Sequence, residues 1–479
     1  MQPAPPRDSQ RLGQASWAFF ALVSVLGFPW QSLDAVGLLA ALLAGALAKG
    51  ALSWVFARRM FLSASLLVPL TLVYAGGLGD AVADGVSRIG IQASSGSVVE
   101  ALLAFVAFVA ATGLVARATQ RALSRRLRPP EAEDARATQR RNLAVLALFM
   151  AVLAVAWSTG SWTYWSGERP EVAEPGGLEH LYPPMLFLLV GLASYRRLDL
   201  ASARREGPLR LALAVVVGLL LFFLQSRRLM LGCGVLLVLT WLARRAPVRS
   251  PLARVYLPSI ALVLALMFLG SSGWRDVDDS APTGITDRLG RAVAGLDEDT
   301  SQTLEARLTY LWFDAFARDT AQQIPLDLDA GALFEASVAR AIPRAFLPSK
   351  DDVPSITCEA PFSDLGFTED LPCTPQTEAW LAGGMFGMGL AALLWGLVLG
   401  VCEAVALRGP GFARIAALMV FQPFMDLEGG ALPMISGIRV ALIVTTICAA
   451  IYFVLTLAQR GRKVLAPAGG VGAGRASAL

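Results

Sequence analysis

The chain has 479 residues, of which 55% are hydrophobic and only 16% charged, and its mean hydropathy is +0.56. Soluble globular chains carry roughly 25% charged residues, so this composition excludes an ordinary soluble domain and points to an integral membrane protein. The net charge of +4 says little alone, because the distribution of charge among the loops carries the information.

Apolar runs of about 17 to 25 residues recur along the chain, each long enough to cross a hydrocarbon core of roughly 30 Å as a helix. Lipid offers no partner to an open backbone hydrogen bond, so such runs are expected to be helical. Twelve are expected, near 15–33, 35–56, 61–79, 98–116, 142–160, 181–195, 209–225, 229–243, 254–271, 379–404, 411–430 and 435–457. The first follows Gln, Pro and Arg, lacks a small-residue cleavage site and leads straight into the second, so it is expected to be a retained helix and not a signal peptide.

Basic residues set the orientation. Arg58 and Arg59 end the second run, and the linker from Arg117 to Arg141 holds eight arginines against three acids. Arg196, Arg197, Arg204 and Arg205 follow the sixth; Arg244, Arg245, Arg249 and Arg254 the eighth; Arg408 the tenth; Arg460, Arg462 and Lys463 the twelfth. Every even-numbered helix thus ends on a basic connection, which places both termini in the cytoplasm. The expected architecture is an all-α polytopic membrane protein of about twelve transmembrane helices with one large external loop containing short amphipathic helices. It divides into an N-terminal membrane region (1–270, about nine helices), the external loop (271–377), a C-terminal membrane region (378–458, about three helices) and a disordered cytoplasmic tail (459–479).

The loop carries nineteen acidic side chains, from Asp276 to Asp370, against eight basic ones. Asp299 and Thr300 could cap a helix in which Leu304, Leu308, Leu311, Trp312, Ala315 and Phe316 recur at three- and four-residue spacing. That face would lie on the protein or membrane surface, and Arg307, Tyr310, Asp314 and Arg318 would fall on or beside the opposite one. A solvated face with an i,i+4 pair to Arg318, from Tyr310 or Asp314, is the simplest reading of these charges. Cys358 and Cys373 share the loop, where a location outside the cytosol would allow a disulfide between them. Cys233, Cys402 and Cys448 sit in apolar runs as small hydrophobes.

One connection breaks the charge rule. Between the seventh and eighth helices, Gln225-Ser226-Arg227-Arg228 puts two arginines in a tight turn on the external side, flanked by Phe222, Phe223 and Met230. A snorkelling pair reaching lipid phosphates is one reading. A charge kept at membrane depth on the disfavoured side is better explained by a functional site. Elsewhere Glu403 is most simply an interfacial residue, and Asp426 with Glu428 marks the external end of the eleventh helix. His180, the chain's one histidine, precedes the sixth helix on the external side. It is either an interfacial residue or a group suited to proton transfer near neutral pH. No phosphate-binding loop, metalloprotease, nucleophile-elbow or dinucleotide motif is present, and no cofactor or metal is expected.

Arginine forks hold phosphate or pyrophosphate in a bidentate way. Aromatics such as Trp162, Tyr164, Trp165 and Trp274 suit sugar rings, and acids can take a proton from a sugar hydroxyl. Many helices followed by one large external loop before the last few resembles the Wzy-type O-antigen and exopolysaccharide repeat-unit polymerases, relatives of the O-antigen ligases. Ile342-Pro-Arg344 followed by Phe346-Leu-Pro-Ser-Lys350 is similar to a loop segment of that family. Thr374-Pro-Gln-Thr-Glu378, leading into Gly383, Gly384 and Gly387-Met-Gly389, looks like its entry to the next helix. Ser226-Arg227-Arg228 resembles its Ser-Arg at a helix junction.

The resemblance implies a multi-pass glycosyltransferase of the bacterial inner membrane that joins undecaprenyl-pyrophosphate-linked oligosaccharide units at the periplasmic face, without a cofactor. Arg227, Arg228 and Arg344 would stabilise pyrophosphate. Arg307, Lys350, Tyr310, Glu378 and His180 would contact substrate. The partners implied are the lipid-linked glycan, the bilayer, and a chain-length regulator and flippase of the same pathway, with no nucleic acid. The ligase branch uses a histidine in its large loop, and this loop has none, which favours polymerase over ligase. It leaves the general base open among Glu378, Asp314 and no protein group. A flippase or transporter of a lipid-linked or anionic solute is the alternative outside the enzymes. It would be expected to carry charges along a central path.

Overall fold

The computed structural model describes residues 60–76, 93–127, 135–159, 181–196, 310–323, 328–342, 373–425 and 433–465, together with isolated residues between 17 and 50 and Cys233, Leu236 and Phe362. In these stretches the chain forms α1 (Phe61–Gly76), α2 (Ser95–Arg126), α3 (Ala135–Ser158), α4 (Tyr182–Arg196), α5 (Tyr310–Gln323), α6 (Ala330–Ala341), α7 (Pro375–Arg408), α8 (Gly411–Phe421) with a short 3-10 turn (Gln422–Met425), and α9 (Pro433–Leu465). Among the described residues there is no strand.

Among the described residues four segments are long and apolar enough to cross a membrane: Ser95–Arg126, Gln139–Ser158, Pro375–Arg408 and Gly437–Gln459. Tyr182–Leu192 and Gly411–Phe424 are shorter apolar helices. The runs expected at 209–225, 229–243 and 254–271 lie outside the described residues except Cys233 and Leu236, as do the first two apart from isolated positions. α8 differs from the expected span 411–430. It keeps α-helical form only to Phe421 and tightens into the 3-10 turn, whose Phe424 ring packs edge-on to Trp395 at 4.7 Å. Asp426 and Glu428 lie beyond the described residues there. Conversely α9 continues past 457 to Leu465, into the stretch expected as a tail.

The outward faces are as apolar as the core. Leu103 and Leu114 on α2, Leu143 and Met150 on α3, Phe386 and Leu390 on α7, and Leu442 and Phe453 on α9 are all exposed large hydrophobes. Water would penalise such a surface, and a lipid surround would not.

α7 is the central element and packs most extensively on α2. The two run parallel: α2 starts beside the start of α7, and Arg408 at the far end of α7 donates to the Ser124 carbonyl at the far end of α2. Gly396 and Gly400, four apart, let the backbones meet. A Cβ at Gly396 would fall 2.6 Å from Val115 Cβ and 2.8 Å from the Thr112 carbonyl, and one at Gly400 would fall 2.5 Å from the Ala116 carbonyl. Close approach of this kind replaces hydrophobic drive between helices that lipid already solvates. Near its start α7 is kinked at Gly383 and Gly384, the latter at φ 58°, a left-handed conformation open to glycine at little cost.

α1 runs antiparallel to α7, tied at both ends. The Glu403 carboxylate accepts the Phe61 and Leu62 N–H groups at 2.9 Å and that of Ser63 at 3.1 Å, so a residue of α7 caps α1. Met60 supplies no capping oxygen of its own. Glu403 is therefore fully buried and not the interfacial residue expected. At the other end the Tyr74 hydroxyl bonds Thr374 Oγ1 at 2.9 Å.

The bundle thus has two chemically distinct ends. Arg125 and Arg126 at the end of α2, Arg140 and Arg141 at the start of α3, Arg408 at the end of α7 and Arg414 at the start of α8 share one. Thr374, Tyr74, Glu100 and the loop helix α5 share the other. α5 there is buried on nearly every side. Tyr310, Leu311, Trp312 and Ala315 join the main core, while Phe313 and Ala317 join a smaller core with Leu328, Leu333, Phe362 and Cys373.

Candidate functional site

The helix expected over 304–316 is observed as Tyr310–Gln323, the residues before it lying outside the described ones. Its polar residues are not a solvated face. Asp314 and Arg318 are fully buried and Tyr310 nearly so. The i,i+4 pair to Arg318 is present, from Asp314, with Nε to Oδ1 at 3.3 Å.

Around that pair three helices converge. Gln376, in the first turn of α7, donates through Nε2 to Asp314 Oδ2 at 2.6 Å. Arg318 Nη1 reaches Glu100 Oε1 on α2 at 2.9 Å, and the guanidinium lies 4.5 Å above the Trp380 ring. Thr374 caps α7 by accepting the Thr377 N–H, and its hydroxyl lies 2.9 Å from both Thr377 Oγ1 and Tyr74 Oη. Pro375, at the first helical position, fits a start where an N–H has no intrahelical acceptor. A hydroxyl ladder therefore runs from Tyr74 through Thr374 to Thr377 beside Asp314.

α5 is clamped a second time next door. Asp319 accepts the Ser94 N–H and hydroxyl and the Ser97 hydroxyl at the start of α2, where the helix dipole favours negative charge. Burial works against the Asp319 charge, but the bonds from Ser94 and Ser97 outweigh it and hold the carboxyl below its ordinary range. Asp314 is the reverse case. Burial pushes its carboxyl up to about 6, against the pull of Arg318, Gln376 and Thr377.

The network has unused capacity. Arg318 Nη2, Gln376 Oε1 and, on the same loop helix, Trp312 Nε1 are buried without a hydrogen-bond partner. Two donors and an acceptor of this kind match phosphate oxygens and sugar hydroxyls, and a carboxyl near 6 can exchange a proton near neutrality. No group of three metal-ligating side chains that could hold an ion occurs among the described residues.

Of the residues singled out in the sequence, Tyr310 and Glu378 belong here. Tyr310 is buried with its ring 6.4 Å from that of Tyr74, and Glu378 is buried in the first turn of α7. Arg227, Arg228, Arg344, Arg307, Lys350 and His180 lie outside the described residues. Glu100, Gln376, Trp380 and Tyr74 were not read as site residues, and Arg318 was read as solvated. One signal was available: Tyr310 to Ala317 is apolar at every position but Asp314, and a helix apolar all round is a buried one.

Cys373, immediately before the Thr374 cap, is disulfide-bonded, whereas Cys233, Cys402 and Cys448 are free and buried. Cys358, with which a disulfide is expected, lies outside the described residues. No family model, curated protein or solved structure matches the chain.

Proposed function

We propose that the chain is a multi-pass polymerase of the bacterial inner membrane that joins undecaprenyl-pyrophosphate-linked oligosaccharide units at the periplasmic face, with about twelve spans, both termini cytoplasmic and 271–377 as the external loop. The observation that carries this reading is the convergence of the loop helix α5 with the starts of α2 and α7. It gathers a guanidinium, two carboxyls, an amide and an indole at one end of an apolar bundle. The disulfide at Cys373 fits an oxidising compartment at that end, and the arginines at the other fit the cytoplasm.

In this reading the acceptor sugar's hydroxyl oxygen attacks the anomeric carbon of the growing chain, and the bond to pyrophosphate breaks with its electron pair on the leaving oxygen. Pre-placed cations stabilise that developing charge, one lost donor costing about 3 to 4 kcal/mol in comparable sites. Arg227, Arg228 and Arg344 take that part by resemblance, with Arg307, Lys350, Tyr310, Glu378 and His180 contacting substrate. The hydroxyl proton goes to Asp314, to Glu378 or to no protein group.

Deleting the gene in its native host and separating surface polysaccharide and lipid-linked glycans on a gel tests the reading. Loss of long polymer with single units accumulating on lipid supports it. Long polymer left on its carrier would identify a ligase instead, and units trapped at the cytoplasmic face a flippase.

A further inference from the structure

At the arginine-rich end, α3, α8 and α9 line a half-open cavity of about 270 Å³. Its walls are Ala137 and Arg141 from α3, Pro410, Gly411 and Phe412 at the start of α8, and Tyr452 from α9. Arg141 is only 5% exposed, so its charge is held on the cavity wall and not in bulk water. Its guanidinium lies so close to α8 that a Cβ at Gly411 would fall 1.5 Å from Nη1. Arg140, next in the chain, stacks over Tyr452 at 5.6 Å and donates to Thr456 Oγ1 at 3.1 Å, and Arg414 follows one turn into α8.

The same wall carries further positive potential. Pro410 caps α8 without a side-chain hydrogen bond, and the first N–H groups of the helix have no intrahelical acceptor. The remaining walls are apolar or aromatic. Beside Tyr452, the α9 residues Phe453, Val454 and Leu457 turn an exposed apolar face outward, a surface for an acyl chain.

We infer that this cavity receives a phosphate group, supplied by an anionic phospholipid of the leaflet at the arginine-rich end. Basic pockets between membrane helices on the cytoplasmic side hold phospholipid head groups in this way. The site is independent of the polymerase reading, since it lies at the opposite end of the bundle from Arg318 and Asp314.

The test uses the full-length protein in detergent, with bound lipid counted by native mass spectrometry and thermal stability measured on adding phosphatidylglycerol, phosphatidylcholine or inorganic phosphate. Phosphatidylglycerol is retained over phosphatidylcholine. Arg141→Gln weakens retention about tenfold, the worth of one charge-assisted contact. Ala137→Leu fills the cavity without touching a charge and weakens retention as much, which covers the case in which Arg141→Gln does not fold. Arg121→Gln, on α2 outside the cavity, changes nothing. Stabilisation by inorganic phosphate with the same variant pattern supports the phosphate site and makes its source the solution. Equal retention of the two lipids, or retention unchanged in both cavity variants, overturns it.

Discussion

Arg318 and Glu100 stand 218 residues apart and meet at 2.9 Å, the arginine fully buried and the glutamate side chain 47% exposed. Arg318 is thereby the joint between the buried helix α5 and the start of α2, holding Asp314 through Nε and Glu100 through Nη1. Replacing it with Gln leaves a buried carboxylate without its counter-ion, a loss of about 3 to 5 kcal/mol where buried pairs are broken. Arg318→Lys recovers part of the charge but not the fork that bridges two acids above the Trp380 ring. Thermal denaturation in detergent should rank wild type above Lys above Gln. Equal melting of all three would show that the pair contributes nothing.

The Asp314 carboxyl sets a pH dependence whose sign can be worked out. Its value in the folded chain is about 6 against an ordinary 3.8, so the folded state binds more protons between those values. The resulting stabilisation is complete below about 3.8 and is lost as pH rises through 6. Asp319 acts in the opposite sense. Its lowered carboxyl stabilises above its ordinary range, and the effect disappears on acidification. Melting curves of Asp314→Asn beside wild type between pH 4.5 and 7.5 isolate the first effect, and the variant's slope should be flatter across that window.

Capping of α1 from another helix predicts a graded series at Glu403. Glu403→Ala leaves three buried N–H groups without their acceptor, a destabilisation on the order of 2 to 4 kcal/mol. Glu403→Gln keeps one acceptor oxygen and should fall between Ala and wild type. Yield and melting temperature of the purified variants provide the check.

The close seam between α2 and α7 predicts intolerance of bulk at Gly396. Gly396→Ala places a methyl against Val115 and the Thr112 carbonyl and should lower stability by about 1 to 3 kcal/mol, the usual range for overpacking. Gly396→Leu should abolish monodisperse protein on gel filtration. A well-behaved Leu variant would mean that the two helices do not meet there.

The disulfide supplies a redox test. In the chain denatured without reductant, Cys402 and Cys448 should take up a maleimide at once, whereas Cys373 should label only after a reductant is added. Removing the bridge by Cys373→Ser should lower stability by about 2 to 5 kcal/mol.

The membrane helices were legible because lipid imposes long apolar runs, so 98–116 and 379–404 sit inside the observed Ser95–Arg126 and Pro375–Arg408. Their ends were less so. Beyond an apolar run the backbone continues its own hydrogen bonds through polar residues, as from Arg117 to Arg126, and hydropathy does not register this. The loop helix was legible from its spacing, but its burial was misjudged because Gln376 and Glu100, which satisfy Asp314 and Arg318, come from distant helices. Glu403 was misjudged for the same reason, its partners lying about 340 residues away at Phe61 to Ser63. Local pattern reports apolar surface well and long-range polar pairing hardly at all.

The most direct measurement of the central claim is reconstitution. The purified chain in proteoliposomes, given undecaprenyl-pyrophosphate-linked oligosaccharide units from the native host on the outer surface, should yield lipid-linked products of two or more units together with one released undecaprenyl pyrophosphate for each bond formed. Arg344→Ala should yield neither. Units that remain single, with no carrier released, in liposomes whose protein is folded and oriented with Cys373 outward would contradict the account.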